Sequence, residues 1–379
     1  MTHSFVGRIA AALLAAAFLA LPGELAAQSA ATTGVIRGTV SDGAGAPLVG
    51  ATATLRNTAT NVTRTVQSNV AGVFVAPLLP LGSYEVRVRA VGHRPVEQKG
   101  ISVTVGSTVA LSFKLERAAT ELQAVTISAT QDAQVDPSRT TVAASLGASA
   151  IKALPNNGRN FLALTTLTPN VAVAQGPDGD VLSIAGQRGI HNNVSVDGAD
   201  FNNPFFGEQR GGQRPAFTFN LDAVQEMVVT AQGANAEFGR SSGGFVNVIT
   251  KSGTNTRSGS LHYFGKSSAL SGDLKGNGVT LKPDFAQHQF GFTLGGPIKQ
   301  DKAWYFVAYD QQAFSETKQT DRGSSPAFSK LKAWTDTAYG GALRGDFGPT
   351  DRTNDAQVLM LKLDYKVSDR TNASLKYNF

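Results

Sequence analysis

The side chains able to do chemistry are few, and their spacing does not suit it. The histidines are His3, His93, His191, His262 and His288. None opens an H-E-x-x-H pair or a comparable arrangement, so a zinc-hydrolase reading has no ligand set. Cysteine is absent, which removes thiol nucleophiles, Cys-ligated metals and disulfides and suits an oxidising compartment. Gly259 with Gly265-Lys266-Ser267 approximates a phosphate-binding loop, but five residues separate the glycines instead of four and the stretch alternates like a strand. Asp178-Gly-Asp180 and Asp197-Gly-Ala-Asp200 offer calcium-type oxygens without EF-hand spacing, and Asp beside Gly usually marks a turn. No catalytic residue, metal or cofactor is expected.

Composition favours β-structure over catalysis. Charged residues are 16% of the 379 and glycines number 40, against roughly 25% charged and about 7% Gly in soluble domains. The formal charge is +6 and stays so without residues 1–27, which carry one Arg and one Glu. The basic residues are scattered, which argues against a nucleic-acid partner. At the N-terminus, Arg8 precedes an apolar run from Ile9 to Leu21, followed by Pro22-Gly23 and Leu25-Ala-Ala27. That is the n, h and c pattern of a signal peptide over residues 1–27, and it falls short of the roughly 20 residues of a membrane span. Any membrane residence must come from strands, which hydropathy scarcely detects.

The elements that must position any site follow in order. Residues 34–117 read as about seven short strands between Gly, Pro, Asn and Asp turns, a small Ig-like β-sandwich. Residues 118–137 read as a linker containing one extended run, Glu121-Leu122-Gln123-Ala124-Val125-Thr126-Ile127-Ser128. From residue 138 to 253 short helices and strands alternate. Helical spacing appears at Leu146–Leu154 and again after Arg159 with Phe161, Leu164 and Leu167 on one face, and Asn220–Glu226 reads as a short helix. Phe245–Thr250 alternates like a half-buried strand, and Gly243 and Gly244 ahead of it imply a sharp turn or a close backbone approach. From Gly259 the period is two: Phe290, Phe292 and Leu294 oppose Gln289, Gly291 and Thr293, and Leu359, Leu361 and Leu363 oppose Met360, Lys362 and Asp364. Such alternation suits lipid on one side and a wet lumen on the other. Trp304, Tyr305 and Tyr309 are candidates for an aromatic girdle, and Gln311–Asp355 reads as a long external excursion.

Several of these stretches resemble known families. G-x-V-x-D-x-x-G-x-P-L-x-G-A at Gly38–Ala51, G-x-F at Gly72–Phe74 and L-x-x-G-x-Y-x-V at Leu79–Val86 resemble the carboxypeptidase-regulatory-like domain, an accessory without peptidase activity. R-N-F-L-x-L beginning at Arg159 and Asn160 resembles the plug of Oar-like TonB-dependent outer-membrane receptors. So do G-Q-R-G-x-x-N-N-x-x-x-D-G, with Gly186, Arg188, Gly189, Asp197 and Gly198, the V-x-E segment at Val224–Glu226, and A-E-F-G-R-S-S-G-G, with Glu237, Gly239, Arg240, Gly243 and Gly244. Four motifs in the right order weigh more than any one. The resemblance implies a mainly β chain of signal peptide, sandwich, α/β plug and the first strands of an antiparallel outer-membrane β-barrel over residues 258–379. It also implies that Glu121–Ser128 is a TonB box, an exposed strand-former that adds to the sheet edge of TonB; the plainer alternative is a spacer or the last strand of the sandwich. In the loop Asp200–Arg214, where plugs present apical loops to the outside, Phe205, Phe206, Arg210 and Arg214 are the ligand-contact candidates, unless the phenylalanines pack inside.

A plugged barrel of about 22 strands of about 10 residues needs roughly 220 residues in strands alone, so a longer receptor is expected. The partners implied are TonB, outer-membrane lipid and an unidentified external ligand. The rivals are an outer-membrane structural or adhesion protein that transports nothing, and a periplasmic binding module.

Overall fold

The computed structural model describes residues 30–117, 125–128, 142–156, 159–176, 179–203, 219–233, 239–276, 279–281, 284–318, 326–341, 350–369 and 371–379. The expected signal peptide lies outside them.

The N-terminal unit consists of β1 (Gly34–Asp42), β2 (Thr52–Asn57), β3 (Thr63–Gln67), β4 (Val73–Leu79), β5 (Gly82–Arg89), β6 (Val96–Val103), β7 (Thr108–Leu115) and β8 (Val125–Ser128). Two sheets, ordered β4-β1-β7 and β3-β2-β5-β6-β8, face each other. Alternate residues of each strand point inward, and Ile36, Val40, Leu55, Phe74, Val86, Val88, Phe113 and Leu115 make the core. The Phe74 ring lies over Gly38, where a Cβ would come within 2.2 Å of it. Strand β6 escapes a reading by alternation, because Gly100 at φ +75° puts an irregularity into its pairing with β5 and shifts the period.

The central unit contains β9 (Val142–Gly147), α1 (Ala148–Ala153), α2 (Phe161–Thr165), β10 (Val171–Gly176), β11 (Gly179–Ile184), β12 (Asn193–Val196), β13 (Ala199–Asp200), β14 (Val224–Gln232) and β15 (Phe245–Thr250). Its main sheet runs β13-β12-β15-β14-β9, and β10 and β11 form a hairpin. Three local expectations change. Leu146 lies within strand β9 and the helix begins only at Ala148. Leu167 falls beyond α2 and is exposed, because the helix ends at Thr165. Asn220–Glu226 holds a single 3-10 turn, Leu221–Ala223, before β14 takes over at Val224.

Strand β15 is buried along its whole length instead of on one face. Its polar members are accommodated by partners: Asn247 receives the Ser195 hydroxyl at 2.8 Å and donates to the Ala31 carbonyl, while Thr250 is bound by Asp197. A buried polar group that is hydrogen-bonded loses little on leaving water.

The C-terminal unit adds β16 (Ser258–Ser267), the short hairpin β17 (Leu274–Gly276) and β18 (Val279–Leu281), β19 (Asp284–Lys299), β20 (Ala303–Lys318), α3 (Pro326–Ala338), β21 (Thr350–Thr353), β22 (Ala356–Lys366) and β23 (Asn372–Asn378). The sheet β16-β19-β20-β22-β23 is an antiparallel meander, and β21 also pairs with β20. Strand β20 continues to Lys318, well into the excursion expected from Gln311 onward, because Ser315–Lys318 find partners in Thr350–Thr353.

Candidate functional site

Three motif residues share an unusual backbone. Arg159, Asp197 and Arg240 sit at φ +55°, +51° and +59°, a region that costs a non-glycine residue about 1 kcal/mol or more. Each also carries an ion pair: Arg159 with Asp222 at 3.1 Å, Asp197 with Lys376 at 2.7 Å, and Arg240 with Asp200. The first two belong to contacts between the central unit and the inner face of the C-terminal sheet.

The first contact is built on Asn220. Its Oδ1 accepts the Asp222 N–H at 2.8 Å and its Nδ2 donates to the Tyr309 carbonyl at 2.9 Å, so Asp222 is aimed at the sheet. Asp222 Oδ2 lies 2.8 Å from His262 Nδ1, and His262 Nε2 lies 3.3 Å from Asp310 Oδ2. Neither approach follows the line of a ring N–H, so both contacts are electrostatic. Gln289 donates to the other oxygen of Asp310 at 3.1 Å. The imidazole crosses Gly291 to reach Asp310; a Cβ there would come within 2.7 Å of the ring. His262 and the Arg159 guanidinium hold the Asp222 carboxyl well below the usual carboxylate range, against burial that pushes it up.

The second contact is built on Asp197. Its carboxylate accepts the Thr250 N–H at 2.8 Å and the Thr250 hydroxyl at 2.5 Å. Lys376 approaches at 2.7 Å and Lys362 at 3.9 Å, and Lys362 also donates to the Thr250 carbonyl at 3.3 Å. Burial pushes the Asp197 carboxyl up, but Lys362, Lys376 and the Thr250 hydroxyl outweigh it and hold it below the ordinary range. Between the two contacts Ala223 packs on Phe306, Ala308 and Met360.

The other motif residues shape the central unit. Asn160 caps α2, its Oδ1 accepting the Leu162 N–H at 3.1 Å. The His191 carbonyl accepts from Ser241, Ser242 and Gly243, and Asn192 Oδ1 accepts the Gly244 N–H at 3.1 Å. A Cβ on Gly243 would meet Asn192 at 2.3 Å and one on Gly244 would meet Ile184 at 2.4 Å, so both positions demand a bare backbone. Gly186 and Gly198 take φ of +75° and +78°. Gly189 is buried, whereas Gly239 and Arg188 are exposed, Arg188 apart from both charged contacts. Asp197 and Asp200, weighed above for calcium, are each committed to a cationic side chain. Among the described residues no three His, Asp or Glu side chains are grouped to hold a metal.

Glu226 joins the central unit to the sandwich. Buried, it accepts the Val105 N–H at 3.1 Å and the Ser145 hydroxyl at 2.5 Å, and Val105 packs with Val228 and Ile249. The loop after β2 reaches the β19–β20 turn, where Asn61 donates to Asp301 at 3.0 Å. Asn255 donates to the same carboxylate at 2.7 Å and accepts from Trp304 Nε1 at 2.8 Å. Trp304 therefore faces inward and is buried, so it belongs to no lipid-facing girdle.

The ligand-contact candidates Phe205, Phe206, Arg210 and Arg214 lie outside the described residues, as do Glu237, Asp178 and Glu121–Ala124. Val125–Ser128, expected as an exposed strand in a linker or, on the plainer alternative, as the last strand of the sandwich, pairs in parallel with β6, Val96 opposite Val125 through Lys99 opposite Ser128. Sequence reading missed His262, Asp310, Asp222, Lys362 and Lys376 as a set. His262 stands 40 residues from Asp222 and 48 from Asp310, so no local spacing joins them; the one signal was a charged residue on the polar face of an alternating strand.

A sheet that shows apolar side chains outward and grips an α/β unit by charge on its inner face is the arrangement of a plugged outer-membrane barrel. The chain matches the carboxypeptidase regulatory-like domain over residues 35–116 and an outer membrane beta barrel domain over residues 249–331. It is homologous to the TonB-dependent transporter Oar of Myxococcus xanthus, with 28% identity over 338 residues that cover 83% of this chain and 30% of that protein. The chain thus spans under a third of the length of that curated relative. Similar solved structures include the outer membrane transporter YddB from Escherichia coli (16% identity, TM-score 0.45, 62% of this chain and 32% of that one) and the siderophore receptor PirA from Acinetobacter baumannii (15%, 0.43, 62% and 31%). The barrel match and the homology to Oar put the chain in the outer membrane.

Proposed function

We propose that the chain supplies the sandwich, plug and first wall strands of a TonB-dependent outer-membrane receptor that imports an external ligand and is not an enzyme. The observation that carries this reading is the inner face of the sheet. Its buried Asp310, Gln289 and Lys362 have no use in a globular core, and they hold the central unit through Asp222, His262 and Asp197. Charged contacts suit a plug that must shift, because their groups can be taken over by water, whereas parting an apolar interface would expose hydrophobic surface. In this reading residues 34–117 lie in the periplasm and the plug fills residues 138–253. Phe205, Phe206, Arg210 and Arg214 meet the ligand, and Glu121–Ser128 is captured by TonB, which pulls on the plug. The test is capture of the detergent-solubilised chain by immobilised TonB periplasmic domain. Binding that disappears when residues 121–128 are deleted supports the reading; binding that survives the deletion, or no binding by the intact chain, overturns it.

A further inference from the structure

Among the described residues the sandwich presents four sheet edges, and three carry residues that discourage another strand from adding. Edge strand β4 contains Pro77, β3 contains Arg64 and β7 contains Lys114. Proline and basic residues are the usual means by which proteins blunt a sheet edge. The fourth edge, β8, reads Val-Thr-Ile-Ser, with neither proline nor charge and three β-branched residues. Its register with β6 is regular over all four residues. A strand's N–H and C=O groups point alternately to its two sides, so pairing with β6 uses one side of β8 and leaves the other available. The sheet order ends at β8 among the described residues.

From these edges we infer that the sandwich is a strand-presenting module: β6 orders Val125–Ser128 so that its outer edge is offered, already extended, to the free sheet edge of TonB's periplasmic domain. The inference rests on the TonB-box reading above and adds how the strand is held. The partner then adds to a preformed sheet and does not have to extend a loose segment, so part of the ordering cost of capture is met beforehand. The completed sheet would run from β3 through β8 into the partner. The sandwich is itself fixed to the plug through Glu226 and Val105 and to the β19–β20 turn through Asn61, so a pull on β8 is shared with the plug floor as well as with the chain that leads to β9.

The chain has no cysteine, so one engineered disulfide can lock the strand in place. The register partners Gln98 and Ile127 are changed together (Q98C with I127C), and Glu97 and Thr126 (E97C with T126C) give a second lock in case the first strains the sandwich. The inference expects either disulfide to form without partner, and the oxidised protein to bind TonB's periplasmic domain as tightly as the reduced form. A synthetic peptide of residues 121–128 should bind on the order of tenfold or more weakly. Loss of binding on oxidation, restored by reductant, overturns the inference, since the strand would then have to leave β6. Failure of both disulfides to form overturns it too, as does a peptide that binds as well as the chain. If no form of the chain binds while the disulfides form readily, the TonB-box reading fails and the partner fails with it, although the position of the strand stands.

Discussion

The N-terminal sandwich and the C-terminal sheet are written in the same alternating code and obey it with opposite signs. In the sandwich, Leu55 and Phe74 are sealed inside while Arg56 and Arg89 face water. In the C-terminal sheet, Leu261 is 83% exposed and Leu375 68%, while Gln289 and Asp310 are 2% and 1% exposed. A period of two identifies a strand and its two faces, but it says nothing about which face meets a solvent or which solvent that is. The sandwich closes its apolar faces against each other. The sheet turns its apolar face outward, which is stable only against lipid, and its polar face toward the plug.

That contrast can be broken most sharply at Asp310. Asp310→Ala removes the carboxylate that faces His262 and accepts from Gln289, and loss of one partner from a buried charged set costs about 3–5 kcal/mol. A marked fall in the urea midpoint of the detergent-folded protein is expected, with Asp310→Asn closer to wild type. A shift under about 1 kcal/mol would mean the contact carries no weight.

A smaller effect sharpens the comparison directly. Leu361→Arg, on the outer face of β22, is expected to lower stability in a bilayer by up to about 2–4 kcal/mol, depending on depth. Val75→Arg, on the outer face of β4, is expected to stay within about 0.5 kcal/mol, as surface changes in water do. Equal effects in lipid vesicles would remove the distinction between the two exposed faces.

The mildest test is acid. Asp222 and Asp197 are both held below the ordinary carboxylate range in the folded protein. Their contributions are therefore complete above the unfolded value of about 3.9 and fade as pH falls from there through the lower folded values. Hydrogen-exchange protection of the Thr250 N–H, which Asp197 accepts, should be constant from pH 7 to about pH 5 and decline below about pH 4. Asp197→Asn should show weak protection at every pH.

Much of this was legible in the sequence. Turn residues every few positions marked the sandwich, Gly243 and Gly244 marked a close approach later seen against Asn192 and Ile184, and the facing sets Phe290, Phe292 and Leu294 against Gln289 and Thr293 marked a two-faced sheet. These signals are local: they depend on backbone preferences and on which side chains share one face, and both are set within a few residues. Other features were settled only by the fold. His262 meets Asp222 and Asp310 because three elements far apart in the chain converge. Trp304 turns inward because Asn255, 49 residues earlier, waits for its N–H. Val125–Ser128 lies on β6 because that edge was open, and β15 is buried on both faces because its polar residues find Ser195 and Asp197. Sequence determines which groups can pair; chain topology decides which of them come within the few ångströms over which hydrogen bonds and buried charges act.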